Sequence, residues 1–103
     1  MVPKALDIIF GHKQILDNGD ILDIKIERIE RTKDYPEGIR HSLVYVRDNI
    51  NLVRFDNHHG QKSHKHIKGK KLPYEFIDEW KLVGDFLEDL NKLGIDLDHH
   101  GKN

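Results

Sequence analysis

Apolar and polar residues alternate through much of the first half of the chain. Leu22, Ile24 and Ile26 are each followed by a charged residue, which is the period-two pattern of a strand with one buried face. Residues 12–16 can form a second strand upstream. Between the two segments, Asn18-Gly19 tolerates positive φ at both central positions of a tight turn. The sequence therefore predicts a β-hairpin.

Two further strands are predicted downstream of this hairpin. A loop containing a proline and a glycine at residues 33–38 separates them from it. Residues 39–47 are rich in β-branched and aromatic side chains, and residues 50–56 return after a two-residue turn. The four strands predict an antiparallel meander. Residues 1–10 fit either a strand or a short helix.

The pattern changes to a helical period in the last third of the chain. Apolar residues recur three or four positions apart, which predicts one long amphipathic helix with the stripe Phe76, Trp80, Val83, Leu87 and Leu90, widened by Leu82, Phe86 and Leu93. Asp78 is predicted to cap the helix start and Gly94 to end the helix. Trp80 and Phe86 are predicted to anchor the core. Residues 94–103 are interpreted as a frayed tail.

Length and composition favour one small α+β domain over residues 1–103, with an antiparallel meander of four or more strands packed by one long C-terminal helix. Charged residues make up 34% of the chain, yet the regular apolar spacing is that of a folded protein. The chain has no cysteine, which excludes disulfides and thiolate metal sites. The apolar stretch after Met1 is too short for a signal peptide or a membrane span. We therefore expect a cytoplasmic protein.

Histidine and lysine concentrate in the segment that follows the fourth predicted strand. Residues 54–66 hold four of the eight histidines, and residues 58–72 hold five lysines and no acid. Histidine can donate, accept and titrate near neutral pH. One short segment therefore carries the groups for acid–base chemistry, anion binding or metal ligation.

Metal-independent RNA cleavage is one chemistry that this segment supports. Such a ribonuclease needs a base for the ribose 2′-hydroxyl, an acid for the leaving oxygen and cations for the phosphate. His64 and His66 are candidate base and acid, because residues two apart on an extended segment point to the same side. This mechanism uses protein side chains alone, so no cofactor is expected. The other candidates are Arg54, Lys62 and Lys65 as phosphate contacts and Tyr45 as a further proton donor or stacking surface.

Two other interpretations of the segment stay open. His64 and His66, with Asp56 or His58 as third ligand, could bind Zn²⁺ or Mn²⁺ in a hydrolase or transferase. Alternatively, Asp56 and Asn57 close the strand with side-chain-to-backbone hydrogen bonds, and Gly60 supplies a left-handed conformation. These three residues would then shape the segment. In that case the protein would be a non-catalytic module that binds nucleic acid or protein.

Several motifs together resemble one family of small proteins. They are SLVYVRD at 42–48, VRFDN at 53–57, Gly60, HKHI at 64–67 and PYEF at 73–76, leading into a helix with Asp85-Phe86. They resemble the TumE family, toxins of bacterial and archaeal type II toxin–antitoxin pairs, over about residues 15–89 of the chain. The placement of His-x-His after Asp-Asn is the more specific part.

The resemblance implies a toxin that binds a helix-turn-helix antitoxin protein. Messenger RNA as the substrate is an expectation by analogy with other small α+β toxins. An exposed edge strand on so small a sheet could pair with a second copy, giving a homodimer, or with a segment of the antitoxin.

Overall fold

Six strands and one helix form the fold, in a computed structural model that describes residues 4–57, 63–95 and 97. In chain order they are β1 (Ala5–Ile15), β2 (Ile21–Ile29), β3 (Ile39–Arg47), β4 (Ile50–Asp56), β5 (His64–Ile67), β6 (Lys70–Pro73) and α1 (Glu79–Lys92). Each strand pairs antiparallel with its neighbour in sequence, so β1 and β6 are the edges of an open meander. The predicted fold class is confirmed. The described helix is too short and too polar to cross a membrane.

The sheet has two strands more than the four that the apolar pattern marks. β5 and β6 form a hairpin whose turn residues, Lys68 and Gly69, have φ values of 51° and 83°. The two strands are four residues long and rich in lysine and histidine, so they show no apolar alternation. β1 begins at Ala5, which shows that the ambiguous residues 5–10 form a strand.

The first hairpin forms where it was predicted. Gly19 has φ 90°, and the Leu16 backbone N–H donates to the Asp20 carbonyl at 2.8 Å. Asn18 contributes through its side chain, because its Oδ1 accepts a hydrogen bond from the Asp20 backbone N–H at 2.9 Å. The turn therefore spans residues 16–20.

The two faces of the sheet differ in chemistry, because residues paired in register share a face. The helix face carries Leu22, Ile24, Ile26, His41, Leu43, Tyr45, Val53, Phe55 and Lys65. The polar face carries Lys25, Glu27, Arg40, Ser42, Arg54, Asp56, His64 and His66. α1 packs on the helix face, where the rings of Phe55 and Phe86 meet edge to face with centroids 5.6 Å apart.

The ends of α1 lie at the predicted caps. Asp78 accepts a hydrogen bond from the Lys81 backbone N–H at 2.8 Å. At the other end, Gly94 has φ 82° and its N–H donates to the Asn91 carbonyl at 2.9 Å. Ile95 packs into the core immediately beyond. Of the predicted tail, residue 96 and residues 98–103 lie outside the described residues.

α1 buries only part of the predicted apolar stripe. Leu82, Phe86 and Leu90 are its buried residues, spaced four apart. Phe86 is 0% exposed, which confirms its role in the core, but Trp80 is 79% exposed and is not a core anchor. With 3.6 residues per turn, Trp80 lies about 160° around the helix axis from Leu82. Apolar residues cover so much of this helix that spacing alone did not identify the buried side.

Candidate active site

Asp56, the last residue of β4, contacts two of the predicted site residues on the polar face. It is 1% exposed. Its Oδ2 accepts hydrogen bonds from Arg54, with Nε and Nη2 each 2.7 Å away. Its Oδ1 lies 2.9 Å from His64 Nε2. Arg54 precedes Asp56 by two residues on β4, and His64 is its partner on β5, so strand alternation and pairing place all three on one face.

His66 completes this group, which we call the Asp56 group (Arg54, Asp56, His64 and His66). It pairs with Arg54 in register, and its ring centroid lies 5.1 Å from that of His64 at an interplanar angle of 78°. The prediction that the two histidines face the same side is thereby confirmed. Partial burial, reinforced by His64, holds the pKa of His66 below its ordinary value. The His66 ring is therefore neutral at neutral pH and able to accept a proton.

The Asp56 group has the parts required for proton transfer beside an anion. A carboxylate against an imidazole fixes the orientation and tautomer of the ring, and it can balance the charge that the ring acquires on taking up a proton. Arg54 uses Nε and one terminal nitrogen on Asp56, and its side chain is 38% exposed. Since a guanidinium has five N–H donors, Arg54 keeps donors for a phosphate.

Two residues predicted for the site, Tyr45 and Lys65, lie on the helix face. The Tyr45 hydroxyl donates to Asp20 Oδ2 at 2.6 Å, and burial raises the pKa of this tyrosine to about 12. Lys65 Nζ lies 2.9 Å from Asp89 on α1 and 5.5 Å from the centroid of the Phe55 ring. Both side chains are engaged in packing, and the structure does not bring them together with His64 and His66.

Asn57 extends the pairing of β3 and β4 through its side chain. Its Oδ1 accepts from the His41 backbone N–H, and its Nδ2 donates to the Ile39 carbonyl, both at 2.9 Å. These contacts fix the end of β4 directly after Asp56, in keeping with the predicted site-shaping role. The other two residues predicted around the site, Gly60 and Lys62, lie outside the described residues.

With Asp56 as the third ligand, the metal alternative requires Asp56, His64 and His66 to converge; His58, the other candidate, lies outside the described residues. Within residues 4–57, 63–95 and 97, no group of three or more His, Asp or Glu side chains is arranged to hold a metal ion. His64 is paired with Asp56, and His66 meets His64 edge-on. The positions of these side chains therefore lend the metal alternative no support.

A second charged cluster on the polar face was missed from the sequence. Glu27 Oε1 accepts from Arg40 Nε at 2.9 Å, and its Oε2 lies 3.6 Å from Lys25 Nζ. The alternation that predicts β2 already places Lys25 and Glu27 on one face, so the signal was present. These three residues line an open depression of about 380 Å³, together with Ser42, Arg54 and Asp56.

A model of one protein family matches most of the chain. The family is described as Toxin TumE, and the match covers residues 3–93. This range includes all six strands, α1 and every member of the Asp56 group. No curated protein and no solved structure matches the chain.

Proposed function

Because the chain belongs to the TumE toxin family, we propose that it is the toxin of a type II toxin–antitoxin pair and cleaves RNA without a metal ion. The observation that carries this proposal is the Asp56 group, in which an aspartate-bound histidine lies beside a second histidine and an arginine. The expected protein partner is a helix-turn-helix antitoxin.

In the proposed reaction His66 is the general base. Its lowered pKa keeps the ring unprotonated at neutral pH, so it can take the proton of a ribose 2′-hydroxyl. The O2′ atom then attacks the adjacent phosphorus, forming the P–O2′ bond while the P–O5′ bond breaks. His64, as the general acid, gives a proton to the departing O5′. The products are a 2′,3′-cyclic phosphate and a 5′-hydroxyl, and exchange with water restores both rings.

Arg54 and Asp56 have supporting roles in this reaction. The guanidinium of Arg54 stabilises the negative charge that grows on the phosphate oxygens in the transition state. Asp56 is a positioning residue, since it contacts Arg54 and His64 at once and is buried beneath them. Removing its charge should therefore disturb both partners.

The test measures turnover of labelled RNA in large excess over the protein. It compares wild type with His64→Ala and His66→Ala, each with and without EDTA. His12→Ala is the matched control, because His12 is an exposed histidine on β1 whose ring contacts Gln14 at 3.0 Å. We expect fragments ending in cyclic phosphate, in excess of the protein, from wild type and His12→Ala. The two site variants should lose about 10²–10⁴-fold in rate.

Three results would count against the proposal. Activity abolished by EDTA would make the histidines metal ligands. Saturable RNA binding without fragments would indicate a non-catalytic module. Loss of activity accompanied by loss of cooperative thermal unfolding would assign His64 and His66 a structural role.

A further inference from the structure

Beside the Asp56 group, the polar face bears a second set of cations on β2 and β3. We infer that Lys25 and Arg40 form a second phosphate subsite, which holds an RNA backbone phosphate adjoining the one that is cleaved. The inference rests on the proposed function for its substrate. It adds a site that orients the RNA strand across the sheet, from β5 toward β2.

The sheet register places this subsite at a defined distance from the histidines. Lys25, Ser42, Asp56 and His64 pair in succession and form one row across four strands. Neighbouring strands lie about 4.8 Å apart, so Lys25 is about 14 Å from His64 along the row. Lys25 Nζ lies near Glu27 and His64 lies beside Asp56, so the two side chains do not converge on one point. A strand of RNA that crosses the row can contact both through different phosphates.

Glu27 positions the two cations without using all their donors. Arg40 contacts Glu27 Oε1 through Nε and Nη2, both at 2.9 Å, which leaves its other terminal nitrogen for a ligand. Lys25 is 3.6 Å from Glu27, and its side chain is 57% exposed. An ammonium group has three donors, so Lys25 can turn toward a bound anion while Glu27 stays paired with Arg40.

The charges that line the depression favour an anion. Lys25, Arg40 and Arg54 supply three positive charges, against two from Glu27 and Asp56, which leaves one in excess. Ser42 is exposed beside them and adds a hydroxyl donor. The depression continues without a break to Arg54 and Asp56. An RNA strand with one phosphate bound at Arg54 can therefore place a neighbouring phosphate against Lys25 and Arg40.

A binding experiment tests the subsite independently of cleavage. A fluorescent hexanucleotide with 2′-O-methyl groups cannot be cleaved by attack of O2′, so its affinity reports binding alone. We expect Lys25→Gln to weaken its binding about fivefold and to reduce the salt slope of log K by about 0.7, the value for one phosphate contact on a single strand. The matched control is Arg28→Gln. Arg28 is a cation on the same strand, and its side chain is also 57% exposed. It forms an ion pair with Asp7 and is paired with Ile39 in the sheet, so it lies on the helix face, away from the depression.

Arg40→Lys serves as the second variant, because it keeps a positive charge next to Glu27. It should bind within about twofold of wild type, whereas Lys25→Glu should bind more weakly than Lys25→Gln. Equal affinities for wild type, Lys25→Gln and Lys25→Glu would overturn the subsite. So would an equal loss in Arg28→Gln, or failure of wild type to bind the hexanucleotide.

Cleavage kinetics then separate this inference from the proposed function. A dinucleotide has a single phosphate, which occupies the Asp56 group, so Lys25→Gln should cleave it at the wild-type rate. For a hexanucleotide the same variant should show a raised KM and an unchanged kcat. Turnover by wild type with no effect of Lys25→Gln on either substrate would overturn the subsite alone. Binding that depends on Lys25, without turnover by wild type, would overturn the proposed function alone.

Discussion

Two buried aspartates, each paired with an arginine, organise different parts of the sheet. Asp20 lies in the turn between β1 and β2 and accepts hydrogen bonds from Arg47 Nη2 at 2.8 Å and the Tyr45 hydroxyl at 2.6 Å. Asp56 lies at the end of β4 and contacts Arg54 at 2.7 Å and His64 at 2.9 Å. The two clusters have the same plan of one carboxylate, one guanidinium and one ring.

The two clusters differ in the chemistry of the ring. Burial raises the pKa of Tyr45 to about 12, so this phenol keeps its proton and acts as a fixed donor. The hydrogen bond from Arg47 holds the pKa of Asp20 below its ordinary value, and the cluster fastens β3 to the first turn. The ring at Asp56 is an imidazole, the side chain used most often for acid–base catalysis, and His64 lies beside a second histidine on the polar face. One arrangement thus gives a structural tie in one place and a candidate reactive group in another.

The largest expected effect comes from removing one charge in each cluster. Asp56→Asn should lower RNA turnover on the order of a thousandfold, because His64 loses the carboxylate that orients it. Asp20→Asn should leave the turnover of folded protein unchanged and lower the free energy of unfolding by about 1–3 kcal/mol. Multiple-turnover rates and urea unfolding, measured on both variants, check this contrast.

Equal loss of turnover in both aspartate variants would remove the distinction between the clusters. Rescue separates positioning from folding at Asp56. Asp56→Glu restores the carboxylate, and it should recover part of the rate if orientation of His64 is the cause of the loss.

His41 extends the comparison to a histidine on the helix face. It is buried and stacks on Phe76 with ring centroids 5.7 Å apart, and burial lowers its pKa from 6.5 to about 4. An unfolded His41 takes up a proton below pH 6.5, whereas the folded one resists protonation until about pH 4. The unfolded state therefore binds more protons in this interval. The free energy of unfolding should fall by about 3 kcal/mol as the pH drops through it.

Urea unfolding of wild type and His41→Phe between pH 7 and pH 4 measures this contribution. Phenylalanine keeps the stacked ring and cannot be protonated, so the variant should lose less stability over the interval than wild type. His66, whose pKa is also lowered, is present in both proteins and cancels in the difference. Parallel pH profiles for the two proteins would show that His41 is not the group that titrates.

Tyr45→Phe tests whether the hydroxyl is only a structural donor. The change removes the 2.6 Å hydrogen bond to Asp20 and leaves Arg47 in place. We expect a loss of about 1–2 kcal/mol in the free energy of unfolding and no change in RNA turnover. A turnover defect at unchanged stability would return Tyr45 to the catalytic candidates.

The smallest effect is expected at Trp80. Because this side chain is 79% exposed, Trp80→Ala should change the free energy of unfolding by less than about 0.5 kcal/mol. Phe86→Leu, on the buried side of the same helix, should cost about 1 kcal/mol. Thermal unfolding of both variants measures this difference. A larger loss of stability in Trp80→Ala than in Phe86→Leu would contradict the assignment of Phe86 to the buried side.

Local signals predicted the parts of the fold that depend on near neighbours. β3 and β4 end at the predicted residues, the Asn18-Gly19 turn joins β1 to β2, and Asp78 caps α1. β5 and β6 gave no such signal, because their stability comes from pairing with β4 and with each other. Within the site, alternation predicted that His64 and His66 share a side. Nothing local to β5 showed that Asp56, eight residues before His64, is the partner of its ring.

By itself the sequence determined four of the six strands with the turns that join them in pairs, the helix and its caps, and the histidine-rich candidate segment, since turn chemistry and regular apolar spacing act over a few residues. Tertiary structure decided which side chains meet. Alternation along β5 puts Lys65 and His64 on opposite faces, and strand register and helix packing decided that Lys65 meets Asp89 on α1 and His64 meets Asp56. Burial turned Tyr45 and Phe86 inward and left Trp80 outside. These outcomes depend on pairing and packing between distant segments, which alternation along one strand or periodicity along one helix does not specify.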